Sequence, residues 1–205
     1  MKFAILIDGG FVRRRLGKPG RPAAPEDIRR LVKAIREHGC LQGHLLHRIY
    51  YYDAKPLDIP VTKPLLGGTI DFGKEPLAAR SQQLFLELSR EPYFALRMGE
   101  LSFNGWVVKP GTLEKAGAAA EARITAAALK PQIAQKGVDM RVGMDIAALA
   151  LKGLAGIIVL VTGDSDFVPA MKFARREGAQ LFLVPLGHGI RESMREHSDL
   201  VVDIA

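Results

Sequence analysis

The apolar run Ile157 to Val161 leads through Thr162-Gly163 to two carboxylates, Asp164 and Asp166, set one residue apart. The opening segment ends in a similar way, with the mostly apolar stretch to Ile7 followed by Asp8-Gly9-Gly10. A third acidic segment, Lys136-Gly137-Val138-Asp139, precedes a helical pattern that also carries Asp145. Two hydrophobic strands that each deliver aspartate at the C-terminal edge describe an acidic site at the top of a parallel sheet, where ligands of open α/β sheets sit. Hard divalent cations such as Mg²⁺ take oxygen ligands and keep several waters, so a few carboxylates with open positions are what a protein supplies. Without a cation such a cluster repels itself and raises the pKa of one or more members.

Each aspartate has a plainer explanation to overcome. An Asp just after a strand is often only the N-cap of the next helix, and Asp166 before Phe167 is as good a cap as a ligand. Asp8 before two glycines also suits an ordinary turn. The coincidence of three segments, more than any single residue, favours the metal. Asp139 and Asp145 lie six positions apart, about 240° around a helix, so they do not aim at one spot. Asp139, at the helix N-terminus, is the better site residue, and Asp145 a supporting partner behind it. Thr162 and Ser165 flank the aspartates with hydroxyls suited to a phosphate or a metal-bound water. Arg13, Arg14 and Arg15 follow the first acidic loop, with Lys18 and Arg21 beyond, and a basic run beside a metal site can track phosphates. Lys136 is placed to meet a phosphate by the same logic, and Lys172, Arg175 and Arg176 extend the basic character on a later helix. His188, between two glycines, is a weaker candidate to face the site. The five histidines show no zinc spacing, a single cysteine, Cys40, supports no structural zinc, and Leu66-Gly67-Gly68 matches no nucleotide-binding fingerprint.

These residues need a scaffold, and the chain alternates apolar strands with amphipathic helices. Strands are expected at Lys2–Ile7, Leu45–Tyr52, Ile157–Thr162, Gln180–Pro185 and Leu200–Ile204. Helices are expected at Glu26–His38, Leu77–Arg90, Val138–Leu151, Phe167–Glu177 and, briefly, Ile190–His197. The region 56–73, rich in proline and glycine, reads as loop. Tyr93–Lys109 reads as one or two strands around an Asn104-Gly105 hairpin turn, and the alanine-rich 112–130 as a helix or a lid. The alternation predicts an α/β fold with a mostly parallel central sheet covered on both faces. One domain over 1–205 is expected, with 54–130 resembling an insertion.

The totals agree with a globular chain: 205 residues, 48% hydrophobic, 25% charged. No apolar run is long enough for a transmembrane helix, the N-terminus lacks the pattern of a secretory leader, and one cysteine fits a reducing cytoplasm. A net charge of +7 and a pI near 9.7 around an acidic centre suit a polyanionic substrate handled through divalent metal.

In the order Ile7-Asp8-Gly9-Gly10, Lys136-Gly137-Val138-Asp139 and Thr162-Gly163-Asp164-Ser165-Asp166-Phe167, the chain resembles the NYN domain of the PIN-like nuclease superfamily, LabA-like branch. That resemblance implies a three-layer α/β sandwich and Mg²⁺- or Mn²⁺-dependent cleavage of RNA, single-stranded or structured, by an endoribonuclease that leaves a 3′-hydroxyl and a 5′-phosphate. The family's acidic residues fall on Asp8, Asp139 and Asp164 as metal ligands, and on Asp166 as a further catalytic carboxylate. Many relatives carry Asn shortly after the first Asp-Gly, where this chain has Phe11. The alternative is a non-catalytic RNA-binding or regulatory module of the same fold. A phosphatase of the Asp-x-Asp type is disfavoured because Gly10 holds its second position. No membrane partner is expected, and association with a second copy is left open.

Overall fold

Phe3 to Ile7 are buried without a break, the mark of a strand covered on both faces. They form β1 (Lys2–Asp8), flanked in parallel by β2 (Leu45–Lys55) and β7 (Ile157–Val161). The computed structural model describes residues 1–18, 21–116 and 123–204, with only the backbone at 113, 115 and 116. These residues divide into two compact units, Met1–Asp53 with Leu84–Gly99 and Gly137–Ala205, and Ala54–Gln83 with Glu100–Lys136.

In the first unit β8 (Gln180–Val184) and β9 (Leu200–Val201) continue the parallel ladder beyond β7. On the other side of β2 lies the start of β5 (Phe94–Val108). Successive side chains of a strand point to opposite faces. Ile5, Ile7, Val159, Val161 and Val184 share one core with Phe11 and Val12 of α1 (Gly9–Leu16), with Ile28, Leu31 and Ile35 of α2 (Pro25–Glu37), and with Leu84 and Leu88 of α3 (Pro76–Ser89). The alternate residues Leu6, Ile158, Leu160 and Leu183 are buried on the opposite face. The helices there are α5 (Val138–Leu151), burying Val142, Ile146 and Leu149, and α6 (Val168–Arg176), burying Met171 and Ala174. Helix, sheet and helix make the three-layer, mostly parallel sandwich that the alternation predicts. A short α7 (Glu192–Glu196) precedes β9. No helix among the described residues is long and apolar enough to cross a membrane.

The second unit departs most from the sequence expectations. Region 56–73 is not all loop: β3 (Pro60–Thr62) and β4 (Thr69–Asp71) form an antiparallel hairpin. Asn104-Gly105 is not a hairpin turn. β5 runs straight through it and pairs antiparallel with β6 (Leu129–Lys136), a strand not foreseen. Phe103 faces Ile133 and Trp106 faces Pro131, so β5 carries one extra residue there, a β-bulge. Gly105, at φ +96°, supplies the left-handed backbone the bulge needs. The alanine-rich stretch gives α4 (Pro110–Ala116) and a single 3₁₀ turn, Ala126–Ala128, before β6. Residues 117–122 of the expected lid lie outside the described residues.

Candidate active site

β1, β7 and β8 run parallel, so their C-terminal ends open on one edge, and the helices that follow begin there. Asp8 closes β1 and caps α1, its Oδ1 accepting from the Phe11 N–H at 3.0 Å. The cap explains why Gly9-Gly10, poor helix formers, begin a helix that the sequence reading missed. Gly9 itself is required, because a Cβ there would lie 2.6 Å from the Tyr52 carbonyl oxygen and 2.7 Å from the Tyr51 ring.

Thr162 joins the two acidic loops. Wholly buried, it donates from Oγ1 to Asp8 Oδ2 at 3.0 Å and accepts the Asp164 N–H at 3.1 Å. Asp164 in turn caps the turn Ser165–Phe167, its Oδ1 accepting the Asp166 N–H at 2.9 Å. Asp139 sits in the first turn of α5, after Gly137 at φ +74°. Two of the carboxylates, Asp8 and Asp139, are pushed above their ordinary range. Burial pushes the Asp8 carboxyl up; bonds from Phe11 and Thr162 and the charge of Arg14 pull it down, and Asp139 adds to the rise. Asp139 is also pushed up, first by partial burial of its carboxyl and then by the charges of Asp164 and Asp166.

The cleft at this edge has a volume of about 510 Å³. Asp8, Asp164 and Ser165 line it with carboxylates and a hydroxyl, and Arg14, His188 and Arg191 supply cationic or ring nitrogen groups. His188 meets the Phe11 ring edge-on at 5.8 Å. Gly163 lets them pack, since a Cβ there would fall 2.5 Å from His188 and 2.7 Å from Phe11. Phe11 is thus a buried wall of the cleft. Arg191 carries no spacing signal in the sequence; only the fold brings it to the cleft.

The basic run divides among three tasks. Arg13 turns inward to Asp53 at 3.2 Å. Arg14 faces the cleft beside Asp8. Arg15 clasps the Leu186 carbonyl through Nε and Nη2 at 3.1 and 2.9 Å. Lys136 ends β6 in the second unit, opposite Glu100. Asp145 accepts from Tyr52 OH and from Arg97 Nε, both at 2.9 Å. Burial first, and then the charge of Asp145, push the Tyr52 phenol far above its usual range, so it remains a donor.

The donor chemistry fits a hard divalent cation: carboxylate oxygens from three segments, of which Asp8 and Asp139 are raised by burial first and by a neighbouring carboxylate after it. No three acidic, histidine or cysteine side chains among the described residues are already gathered at ligating distance, so the donors match in kind without forming a closed cage.

A mostly parallel α/β sheet with aspartates at its C-terminal edge defines the class, and the comparisons agree with it. The family model of the NYN domain matches residues 105–204. The match spans 100 of the 205 residues, and NYN domains belong to the PIN-like nuclease superfamily. A crystal structure of a protein of unknown function from Vibrio parahaemolyticus is similar across 100% of this chain and 93% of its own, with TM-score 0.53 and 14% identity. That likeness concerns the fold alone. No curated protein matches the chain.

Proposed function

We propose that the chain is a divalent-metal-dependent ribonuclease of the LabA-like kind, cutting RNA phosphodiesters at the β1–β7 edge. The observation that supports this is the joining of Asp8 and Asp164 through Thr162 beside one cleft, with Asp139 near enough to add to the rise of the Asp8 carboxyl, in a chain whose net charge is +7. Repulsion of this kind costs stability unless a cation relieves it. Asp8, Asp139 and Asp164 are the residues that would hold Mg²⁺ or Mn²⁺. When bound, such an ion polarises a phosphodiester and lowers the pKa of an attacking water.

The remaining work belongs to side chains of this chain. Thr162 fixes the Asp8 carboxylate, and its bond to the Asp164 N–H sets the spacing of the two loops. Arg14 and Arg191, on the cleft wall, offer charge to the scissile phosphate and its neighbour. Ser165 offers a hydroxyl to the same group. Asp166, whose N–H is held by Asp164, would use its carboxylate to accept a proton from an incoming water.

The test is incubation with tRNA, rRNA and single-stranded DNA, with and without Mn²⁺, reading the product ends. RNA cut only with metal, and lost in Asp164→Asn at an unchanged melting temperature, is expected. Equal cleavage by that variant overturns the assignment.

A further inference from the structure

Two hollows of the first unit share a wall. Arg15 lines the carboxylate cleft and also a second hollow of about 460 Å³. Its guanidinium is pinned to the Leu186 carbonyl, and Leu186 holds a left-handed φ of +50°, costly for a side chain of that size. Besides Arg15 its lining carries the exposed cations Lys18, Arg21 and Arg30 and, less exposed, the apolar Leu31, Ala34 and Ile204, so the charges lie outermost as a rim and the carbon surface lies deeper as a floor. The acid lining this hollow is Asp27, which is buried and already bonded to the Ala24 N–H, Arg21 and Arg30. The lining thus carries four cations to one carboxylate, and that carboxylate is already bonded. The Arg21 and Arg30 side chains stay 56% and 65% exposed, and Lys18 has no ion pair among the described residues.

An apolar floor under a cationic rim suits a nucleotide: a base settles on the carbon surface while its phosphate meets the rim. A base can enter a concave hollow only when it is unstacked, which selects a single strand over a helix. We infer that single-stranded RNA passes from the cleft over Arg15 and places a nucleotide in this second hollow, against Lys18 and Arg30. The inference rests on the ribonuclease reading. It gives the enzyme a preference for strands long enough to reach both hollows.

Binding of fluorescently labelled single-stranded RNA is measured in EDTA, so that nothing is cut, across a salt series, with a dinucleotide and with longer oligonucleotides. For the longer strands, Lys18→Ala and Arg30→Ala should each flatten the log affinity against log salt slope by about 0.7, and together by about 1.4. The dinucleotide slope should not follow. In Arg30→Ala the Asp27 carboxylate keeps Arg21 and the Ala24 N–H, and a melting curve verifies the fold. Ala34→Phe, which fills the hollow and leaves every charge in place, should weaken the longer strands about tenfold or more and leave their slope alone. Equal changes for both lengths, or none for either, overturn the second hollow. Failure of the wild type to cut any RNA with Mn²⁺ refutes the ribonuclease reading instead, and the two outcomes are read in separate assays.

Discussion

Replacing Thr162 by valine keeps the shape of a buried side chain and removes only its hydroxyl. Two bonds go with it, one to the Asp8 carboxylate at 3.0 Å and one from the Asp164 N–H at 3.1 Å. A hydrogen bond to a charged group contributes about 1.5–3 kcal/mol, and a buried amide left unsatisfied costs about 1–3 kcal/mol. Asp164 is exposed, so water can reach its loop and the lower ends apply, giving roughly 2–3 kcal/mol in total. For a chain of this length each kcal/mol moves Tm by about 2–4 °C, so a fall of roughly 4–12 °C is expected in a thermal melt. Mn²⁺ affinity, followed by calorimetry, should fall as well, because Asp8 loses a partner that holds its carboxylate ionised and oriented. Thr162→Ser retains both bonds and should recover most of each loss. A valine variant within about 0.5 kcal/mol of wild type by chemical denaturation would refute the hydroxyl's role, because a real bond costs more than that. So would a serine variant as damaged as valine.

Asp145→Asn should destabilise the fold by about 1.5 kcal/mol or more, since Tyr52 OH and Arg97 lose a charged acceptor, whereas Asp139→Asn, freed from Asp164 and Asp166, should melt no lower than wild type yet lose RNA cleavage. Paired melts and cleavage assays decide, and the opposite ranking defeats the assignment of the two helix faces. Burial pushes the Asp27 carboxyl up, but its bonds from Ala24, Arg21 and Arg30 prevail and hold it below its ordinary value. The ionised form therefore stabilises the fold above the unfolded Asp pKa, about 3.9, and that contribution is lost as pH falls through the depressed folded value. Denaturation at neutral and strongly acid pH should show the gap between wild type and Asp27→Asn narrowing only below about pH 4. Gly163→Ala should cost about 1–3 kcal/mol by overpacking, and His188→Ala in the same chain should return part of it, as read by a double-mutant cycle.

The strands at the centre of the sheet were legible because burial on both faces makes them continuous apolar runs, as in Phe3–Ile7 and Ile157–Val161. The aspartates were legible because their chemistry shows in residue type and in position after a strand. What stayed hidden depended on partners distant in the chain. Arg13, Arg14 and Arg15 look alike in sequence, yet Asp53, Asp8 and the Leu186 carbonyl send them three ways. Helix α1 was obscured by Gly9-Gly10 and its arginines; the Asp8 cap and the burial of Phe11 and Val12 outweigh that weak propensity. Strand β6 carries Pro131 and several polar residues, so its apolar pattern is faint, and pairing with β5 defines it. The same pairing turns an Asn-Gly signal into a bulge, because the extra residue is accommodated without reversing the chain.

The position of β1 has a consequence for how the protein is made. It emerges from the ribosome first among the strands, yet its two neighbours in the sheet are β2 and β7. The edge that β7 will occupy stays open while the chain grows from Asp8 to Val161, roughly 8–30 s at about 5–20 residues per second. During that interval Phe3 to Ile7 present an apolar strand with unpaired backbone groups, the kind of edge that recruits other chains. Nascent or truncated products ending before Ile157 should therefore be insoluble or held by chaperones, and folding of the first unit is committed only when its last third has been synthesised.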